Sequence, residues 1–570
     1  MGGRSLLSVR SRAIRLAVVL FILGLPAGAA GIGGVRISPM PPDNSYVISY
    51  STSPDGKWLV FETTVPPFTQ TREIFSYPLF GTGGARRLSA EPRNGRVLGI
   101  SPDSRWVVYG DNFRELEVAP IDGSALPREL TSFGGRPVHG VAFVPGSDRV
   151  LFWGPMLNAH IELFSVPLDG SAEPQKLSGP MVGDPSSPNG GNVEDDVGGR
   201  DGLVLYRADQ EVDHVVNLYV VPMDGSLPAV QLNDPPGAGP WQFTADGTRV
   251  LYGAQDPDFV VQLYSVPIDG SEAARRLNGT LVPGGDVSSW EQVAGGRVVY
   301  LADQDIDTVD ELYIVPADGS QAAAKINSPL DPSANDVLRF GVDSQGARVF
   351  YMLRTQGTAR LFSRPSDLSS APVRLDRVPG SGRDVVSFGI APDGSRVTYH
   401  ADQDSDEVIE LYSCPSDGSS TPIKLNHPLV EGAEVHSTAI SPDGQVVVYQ
   451  ADGAVAIDVY AVPIDGSSEP LRLNPPMVQG GEVPGGMEFT PDSRRVVFRA
   501  DVFTDERFLL FSAALDGSGW QIENGPLAAG GDVLDFTILN SNLLVYLADE
   551  EVNTRDELYL DFLARPVRHR

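Results

Sequence analysis

Hydrophobic residues in this chain fall in short runs of strand length rather than at helical spacing. Stretches such as Val298-Val299-Tyr300-Leu301-Ala302 and Glu311-Leu312-Tyr313-Ile314-Val315-Pro316 are rich in β-branched and aromatic residues, and clusters of Pro, Asp, Gly and Ser bound them. That pattern predicts half-buried or buried strands joined by tight turns, with helices nearly absent. The turns carry a mechanism of their own. Proline presets the first dihedral of a Pro-Asp-Gly turn, and glycine accepts the positive one.

The runs recur in a fixed order. Val298 to Asn327 has close copies in Val397 to Asn426 (VTYHADQDSDEVIELYSCPSDGSSTPIKLN) and Leu203 to Asn233 (LVLYRADQEVDHVVNLYVVPMDGSLPAVQLN). Weaker copies carry Asp-Gly at Asp122, Asp169, Asp269, Asp465 and Asp516; the copy at Asp367 has leucine in place of glycine, and the copy at Tyr559 stops before that turn. A step of roughly 45 to 55 residues is the length of one four-stranded blade. Strand A ends in turns such as Ser53 to Gly56, Ala391 to Gly394 and Ser441 to Gly444. Strand B is the Val-Val-Tyr stretch, strand C the Glu-Leu-Tyr-x-Val-Pro stretch, and strand D the Lys-Leu-Asn stretch.

The expected fold is therefore all-β, one or more β-propellers built from about eleven blade-like repeats. Because rings usually hold about four to eight blades, two rings are expected, with residues 31–328 forming an N-terminal group of blades and 329–570 a C-terminal group. Val35-Arg36-Ile37-Ser38-Pro39-Met40 matches a strand D and its following loop, as in Leu471-Arg472-Leu473-Asn474 with Pro476-Met477. This segment is expected to complete the last blade, whose own copy ends at strand C, and so to cover an open sheet edge.

Ser-Pro-Asp-Gly before a hydrophobic strand, then an acidic residue before Leu-Tyr-x-Val and a second Asp-Gly, resembles the WD40-like repeat in the propeller of TolB and related periplasmic proteins. The resemblance covers nearly all of the chain after residue 30 and implies architecture, not activity. TolB itself has a separate α/β domain before its propeller, whereas here the repeats begin within about twenty residues of the expected leader cleavage point.

Composition narrows the partners. The 570 residues carry a formal net charge of −31, which disfavours nucleic acid and anionic membranes, since those are bound by clustered Lys and Arg. Arg4, Arg10, Arg12 and Arg15 precede the apolar run Leu16 to Leu25, followed by Pro26-Ala27-Gly28-Ala29-Ala30, the order of a signal peptide over residues 1–30 that is cleaved near Ala29 or Ala30. A periplasmic or secreted protein without stable membrane insertion is expected. Cys414, the single cysteine, stands where sister repeats have valine or alanine and is expected to pack as a small apolar residue.

Alternating strand direction places the A–B and C–D turns on one face and the longer B–C and D–A loops on the other. The second face receives Asp303-Gln304-Asp305-Ile306-Asp307, Asp402-Gln403-Asp404-Ser405-Asp406, Asp209-Gln210-Glu211-Val212-Asp213, Gln255-Asp256-Pro257-Asp258 and Asp549-Glu550-Glu551. Variable loops over a rigid scaffold favour binding, so this acidic face is the candidate surface for a protein or glycan partner. Asp303, Asp305, Asp307, Asp402, Asp404, Asp406, Asp209, Glu211 and Asp213 supply oxygen ligands at alternate positions, as Ca2+ loops do, although Thr308 and Glu407 replace the glycine that bends an EF-type loop. Solvated or turn-capping carboxylates are the other reading of the same residues.

No enzyme motif is present: the chain lacks Gly-x-Ser-x-Gly, His-Glu-x-x-His, a phosphate loop and a dinucleotide fingerprint. The histidines, His139, His160, His214, His400, His427, His436 and His569, are scattered. A non-enzymatic scaffold that requires no cofactor is the expected function. The alternative is a propeller-type lyase or hydrolase acting on a polysaccharide or peptide through paired carboxylates.

Overall fold

The computed structural model describes residues 34–563 except 39–44, 66–67, 82, 91–94, 112–114, 133–137, 156–159, 184–190, 235, 256–259, 329–335, 379–381, 430–431 and 554. The expected signal peptide and His569 lie outside the described residues. The described strands form eleven antiparallel four-stranded sheets, each paired in the order A-B-C-D. Blade 8 is representative, with strands Val385–Ile390, Arg396–Ala401, Glu410–Pro415 and Ile423–Lys424.

Strand B is buried on both faces in every copy, so it reads as a hydrophobic run instead of an alternating one. Its aromatic residue packs across the strand onto that of strand C, as in Tyr399–Tyr412, Tyr300–Tyr313 and Tyr546–Tyr559 with ring centroids 5.3, 5.2 and 5.2 Å apart. The turn chemistry is as expected. Gly394 N–H donates to Ala391 O at 2.8 Å and Gly418 N–H to Pro415 O at 3.0 Å, while Ser419 N–H caps Asp417 at 2.9 Å. At the copy without glycine, Leu368 adopts φ 60, a left-handed conformation rare for a branched side chain, and packs against the neighbouring core.

Each blade shares an apolar core with the next. Val299, Leu312, Val337 and Tyr351 join blades 6 and 7 across residues 328 and 329, and Tyr399, Cys414 and Phe350 join blades 7 and 8. Cys414 is fully buried there, in the place of the valines of sister strands, and burial pushes its thiol pKa up to about 12.

The last blade consists of Val533–Asn540, Leu543–Ala548 and Glu557–Phe562, completed by Val35–Arg36. Val35 pairs with Leu560 and Arg36 with Tyr559, as the closing-strand expectation requires; Pro39 and Met40 lie outside the described residues. Ile37, Val47, Leu59 and Phe61 then pack with Leu543, Val545 and Leu558, which joins blade 1 to blade 11. The expectation of two rings is corrected by this packing: shared cores link each of the eleven blades to the next and blade 11 to blade 1, in one cycle closed by the first strand. Strands A of neighbouring blades approach one another, so they line the inside of the cycle.

Candidate functional site

The recurring charged residues of the repeat first serve the blade itself. In blade 6, Lys325 Nζ lies 2.6 Å from Glu311 Oε2 and 2.8 Å from Asp305 Oδ2, and Asn327 Oδ1 accepts the Leu312 N–H at 2.8 Å. Blade 8 repeats the arrangement with Lys424, Glu410, Asp404 and Asn426. The short strand D would otherwise hang by two residues. Glu-Leu-Tyr and Lys-Leu-Asn recur because they tie it to strand C.

The acidic loops divide into a root and a tip. At the root, Asp303 Oδ2 accepts the Thr308 N–H at 3.0 Å, and its Oδ1 accepts the N–H of Asp286 from the preceding D–A loop. Asp209 holds the Asn192, Gly191 and His214 amides at 2.5, 3.2 and 3.2 Å, and Asp402 holds the Asp384 amide at 2.5 Å. The glutamine that follows is also structural: Gln304 Oε1 accepts from Tyr300 OH at 2.8 Å and from Gly279 N–H at 2.7 Å, linking neighbouring blades. Gln210 and Gln403 act alike, and Glu550 takes this role in the last blade. The absent EF-type glycine is replaced without loss of the bend, since His214, Thr308, Glu407 and Glu506 take φ 65, 63, 59 and 60.

The tips are different. Glu211, Val212, Asp213, Asp305, Asp307, Asp404 and Asp406 are exposed. Asp305 and Asp404 pair with the strand D lysines, and Asp213 lies 3.5 Å from His214 Nε2. The structure thus gives the three carboxylates of one loop three separate positions. Among the described residues, no three His, Cys, Asp or Glu side chains gather in an arrangement that could hold a metal ion. Asp256 and Asp258 of the Gln255 loop lie outside the described residues.

Exposed apolar residues stand among these carboxylates. Val212, Val455, Phe503 and Val552 are each about half exposed or more at the tips of B–C loops, on the same face. Between blades 3 and 4 the loop face also holds a cavity of ≈ 380 Å³ lined by His139, Glu194, Asp195, Asp209, His214 and Val216 among others. Asp195 is fixed there by the Trp153 Nε1–H at 2.9 Å. The remaining described histidines lie elsewhere. His436 meets Asp452 at 2.8 Å, His427 lies tilted against Tyr460 with ring centroids 4.3 Å apart, His160 Nδ1 meets Gly191 O at 2.8 Å, and His400 is buried beside Ser387, where burial lowers its pKa to about 4.

Two charged residues that sequence reasoning passed over depart from the repeat at the junction of blades 10 and 11. Glu523 occupies the strand D position of Leu425, Leu473 and Ile37, and Asp561 the strand C position of Val315, Cys414 and Val462. Burial, then the nearby Glu523 carboxylate, raises Asp561 to about 7, and burial also raises Glu523. The signal was available as an acid in an apolar strand D column and an acid in a strand C column whose one other charged member is Arg364 of blade 7. Larger cavities of ≈ 820 and ≈ 740 Å³ lie on the opposite, tight-turn face, the first lined by Arg494, Arg495, Asp516 and Asn542 at this junction.

No protein-family model matches the chain, and no curated protein matches it. Among solved structures, the tricorn protease is similar at 12% identity and TM-score 0.30 over 92% of this chain and 57% of that chain. A prolyl endopeptidase is similar at 12% identity and TM-score 0.32 over 63% of this chain and 55% of that one, and a manganese-bound oligogalacturonate lyase at 13% identity and TM-score 0.30 over 55% and 86%. The chain thus spans a little over half the length of the first two. The fold defines a β-propeller. At these identities and scores the similar structures lend it neither residues nor an activity.

Proposed function

We propose that this chain is an exported, TolB-like propeller scaffold that binds a protein or glycan partner through its loop face. The observation that supports this reading best is the composition of the loop tips, where Val212, Phe503 and Val552 are exposed beside exposed carboxylates and Val455 is exposed at the corresponding tip of blade 9. Isolated exposed apolar residues are ordinary, but a set repeated on one face around a ring marks an interaction surface. The roots beneath are pinned by carboxylate–amide hydrogen bonds, which lowers the ordering cost of presenting the tips on binding.

The test is binding to arrayed glycans and basic peptides with the wild type, with a tip variant (V212S/V455S/F503S/V552S) and with an opposite-face variant (L126S/L227S). Binding lost only in the tip variant supports the scaffold. Binding equal in all three, or lost only in the opposite-face variant, overturns it.

The second reading, a lyase or hydrolase, draws on the ≈ 380 Å³ cavity, which gathers His139 and His214 with Glu194 and Asp195. A histidine beside carboxylates in a cleft supplies a general base and an acid. Turnover of a polysaccharide or peptide that is abolished by His139→Ala or Glu194→Gln would establish it in place of the scaffold.

A further inference from the structure

Blade 10 breaks the polar pattern of the repeat. Its strands are Glu488–Phe489, Arg495–Ala500, Leu509–Ala514 and Trp520–Ile522. Where strand C of blades 6 and 8 has Glu311 and Glu410 and strand D has Lys325 and Lys424, blade 10 has Leu509 and Ile522. The same two positions hold the ion pairs Glu73–Arg87, Glu162–Lys176, Asp458–Arg472 and Glu557–Arg36 in blades 1, 3, 9 and 11. The exchange in blade 10 opens an apolar surface at the outer rim of its loop end. Leu509, Ile522 and Met477 are half-buried there, against the core shared by blades 9 and 10. Phe503 from the tip and Trp520 from the strand D edge lie against Phe511, with ring centroids 6.4 and 6.0 Å apart, and they remain 55% and 43% exposed.

We propose that this flank of blade 10 docks a basic, apolar peptide segment of a partner protein. The proposal names the class of partner for the loop-face scaffold and rests on that reading, with Phe503 common to both. Exposed aromatic rings backed by a packed core are the anchors that protein interfaces use most. The charge around them sets the sign of the partner. Lys325 and Lys424 reach the tip carboxylates Asp305 and Asp404, but Ile522 has no charge to offer its own tip. Asp505 and Glu506 are therefore exposed close to Phe503 in the chain, without an ion pair among the described residues. Arg507, next in the loop, is engaged with the following loop, where it donates to Leu527 O, Ala528 O and Gly531 O at 3.1, 3.3 and 3.4 Å.

Apolar side chains flanked by lysine or arginine complement such a surface. A second copy of the chain does not, since both copies would bring a net charge of −31 and the same exposed acids. A sugar stacked on the rings would need polar side chains beside them. Instead, Leu509, Phe511 and Ile522 share one side of strands C and D, and Gln521 is committed to Glu523 at 2.8 Å.

Fluorescence anisotropy with a labelled heptapeptide of alternating lysine and leucine tests the assignment, beside an equally charged heptapeptide of alternating lysine and serine. Leu509→Glu/Ile522→Lys restores the ion pair of the sister blades without touching the tips. Saturable binding of the lysine–leucine peptide is expected. It should weaken at least tenfold in that double variant and in Trp520→Ser, and the lysine–serine peptide should bind wild type at least tenfold more weakly. L126S/L227S on the opposite face should leave binding unchanged, and Asp505→Asn/Glu506→Gln should weaken it and flatten its dependence on sodium chloride. If the double variant melts early, Trp520→Ser, which alters an exposed ring, decides between a lost site and a lost fold. Absence of saturable binding by wild type, or equal binding in Leu509→Glu/Ile522→Lys and Trp520→Ser, would overturn the proposal. So would a neutral glycan that bound with the same dependence on Trp520, or a dimer in sedimentation that Trp520→Ser dissociates. Peptide binding lost in V212S/V455S/V552S but kept in Leu509→Glu/Ile522→Lys would refute this site and leave the scaffold reading standing.

Discussion

Asp303 and Asp307 belong to one loop and carry the same side chain, yet the fold uses them in opposite ways. Asp303 is at the root, its two oxygens taken by backbone amides from its own loop and from the preceding one. Asp307 is exposed at the tip. The same contrast recurs between Asp209 and Asp213 and between Asp402 and Asp406. What a reader of the sequence sees as a row of equivalent acids is a structural layer beneath a solvated one. A carboxylate accepting backbone amides stabilises a turn, whereas an exposed one changes stability by little.

The largest effect should come from the closing strand, which is a root for the entire ring. Removal of Val35–Ser38 deletes the pairing with strand C, takes Ile37 from the core and leaves the buried Glu557 without the Arg36 guanidinium now 2.9 Å away. Breaking a buried ion pair costs up to about 3–5 kcal/mol, and the loss is smaller here because Glu557 keeps Arg555 Nε at 3.8 Å and the Tyr559 hydroxyl at 2.7 Å. Urea unfolding of chains starting at Val35 and at Pro39 should show the second unfolding at a clearly lower midpoint. Coincident curves would mean that the ring does not depend on its first strand.

A smaller effect is expected at Asp561, an acid placed at a core position. Its folded pKa of about 7 lies above the ordinary carboxylate range, so the folded state takes up a proton that the unfolded state releases. Its protonated form is compatible with burial, and the associated stability is present at low pH and lost as pH rises towards 7. Asp561→Val should therefore stabilise the protein by about 1–2 kcal/mol at pH 8, after allowance for partial exposure, and by less at pH 5. Melting curves at the two pH values check this; an equal gain at both would assign it to packing alone.

The smallest effect concerns metal. With Asp303 committed to amides and Asp305 paired with Lys325, Asp307 is the carboxylate of that loop's tip left to meet a cation. Millimolar Ca2+ and Mg2+ at equal ionic strength are expected to raise the melting temperature by equal small amounts through screening. A larger shift with Ca2+ that disappears in Asp305→Asn/Asp307→Asn would show instead that the tips bind calcium.

Much of the architecture was legible because it is local. Alternating hydrophobic runs, Asp-Gly turns and the match of Val35–Ile37 to strand D are decided within a few residues and recur. Ring closure into one cycle was not legible, since the number of blades per ring follows from the angle between neighbouring cores, which no single repeat encodes. The candidate face was readable from strand direction, but root and tip were not, because Asp303 and Asp307 differ only in the amides that reach them, one from the same loop and one from another. Glu523 and Asp561 were readable in principle as departures from repeat columns. Their meaning needed the facing blade.

The division into root and tip is tested most directly by urea unfolding of Asp303→Ala beside Asp307→Ala. Loss of the root carboxylate leaves the Thr308 and Asp286 amides without their acceptor and should cost about 1–3 kcal/mol, whereas the tip substitution should stay within about 0.5 kcal/mol of wild type. Equal destabilisation by the two substitutions, or none by either, would contradict the account.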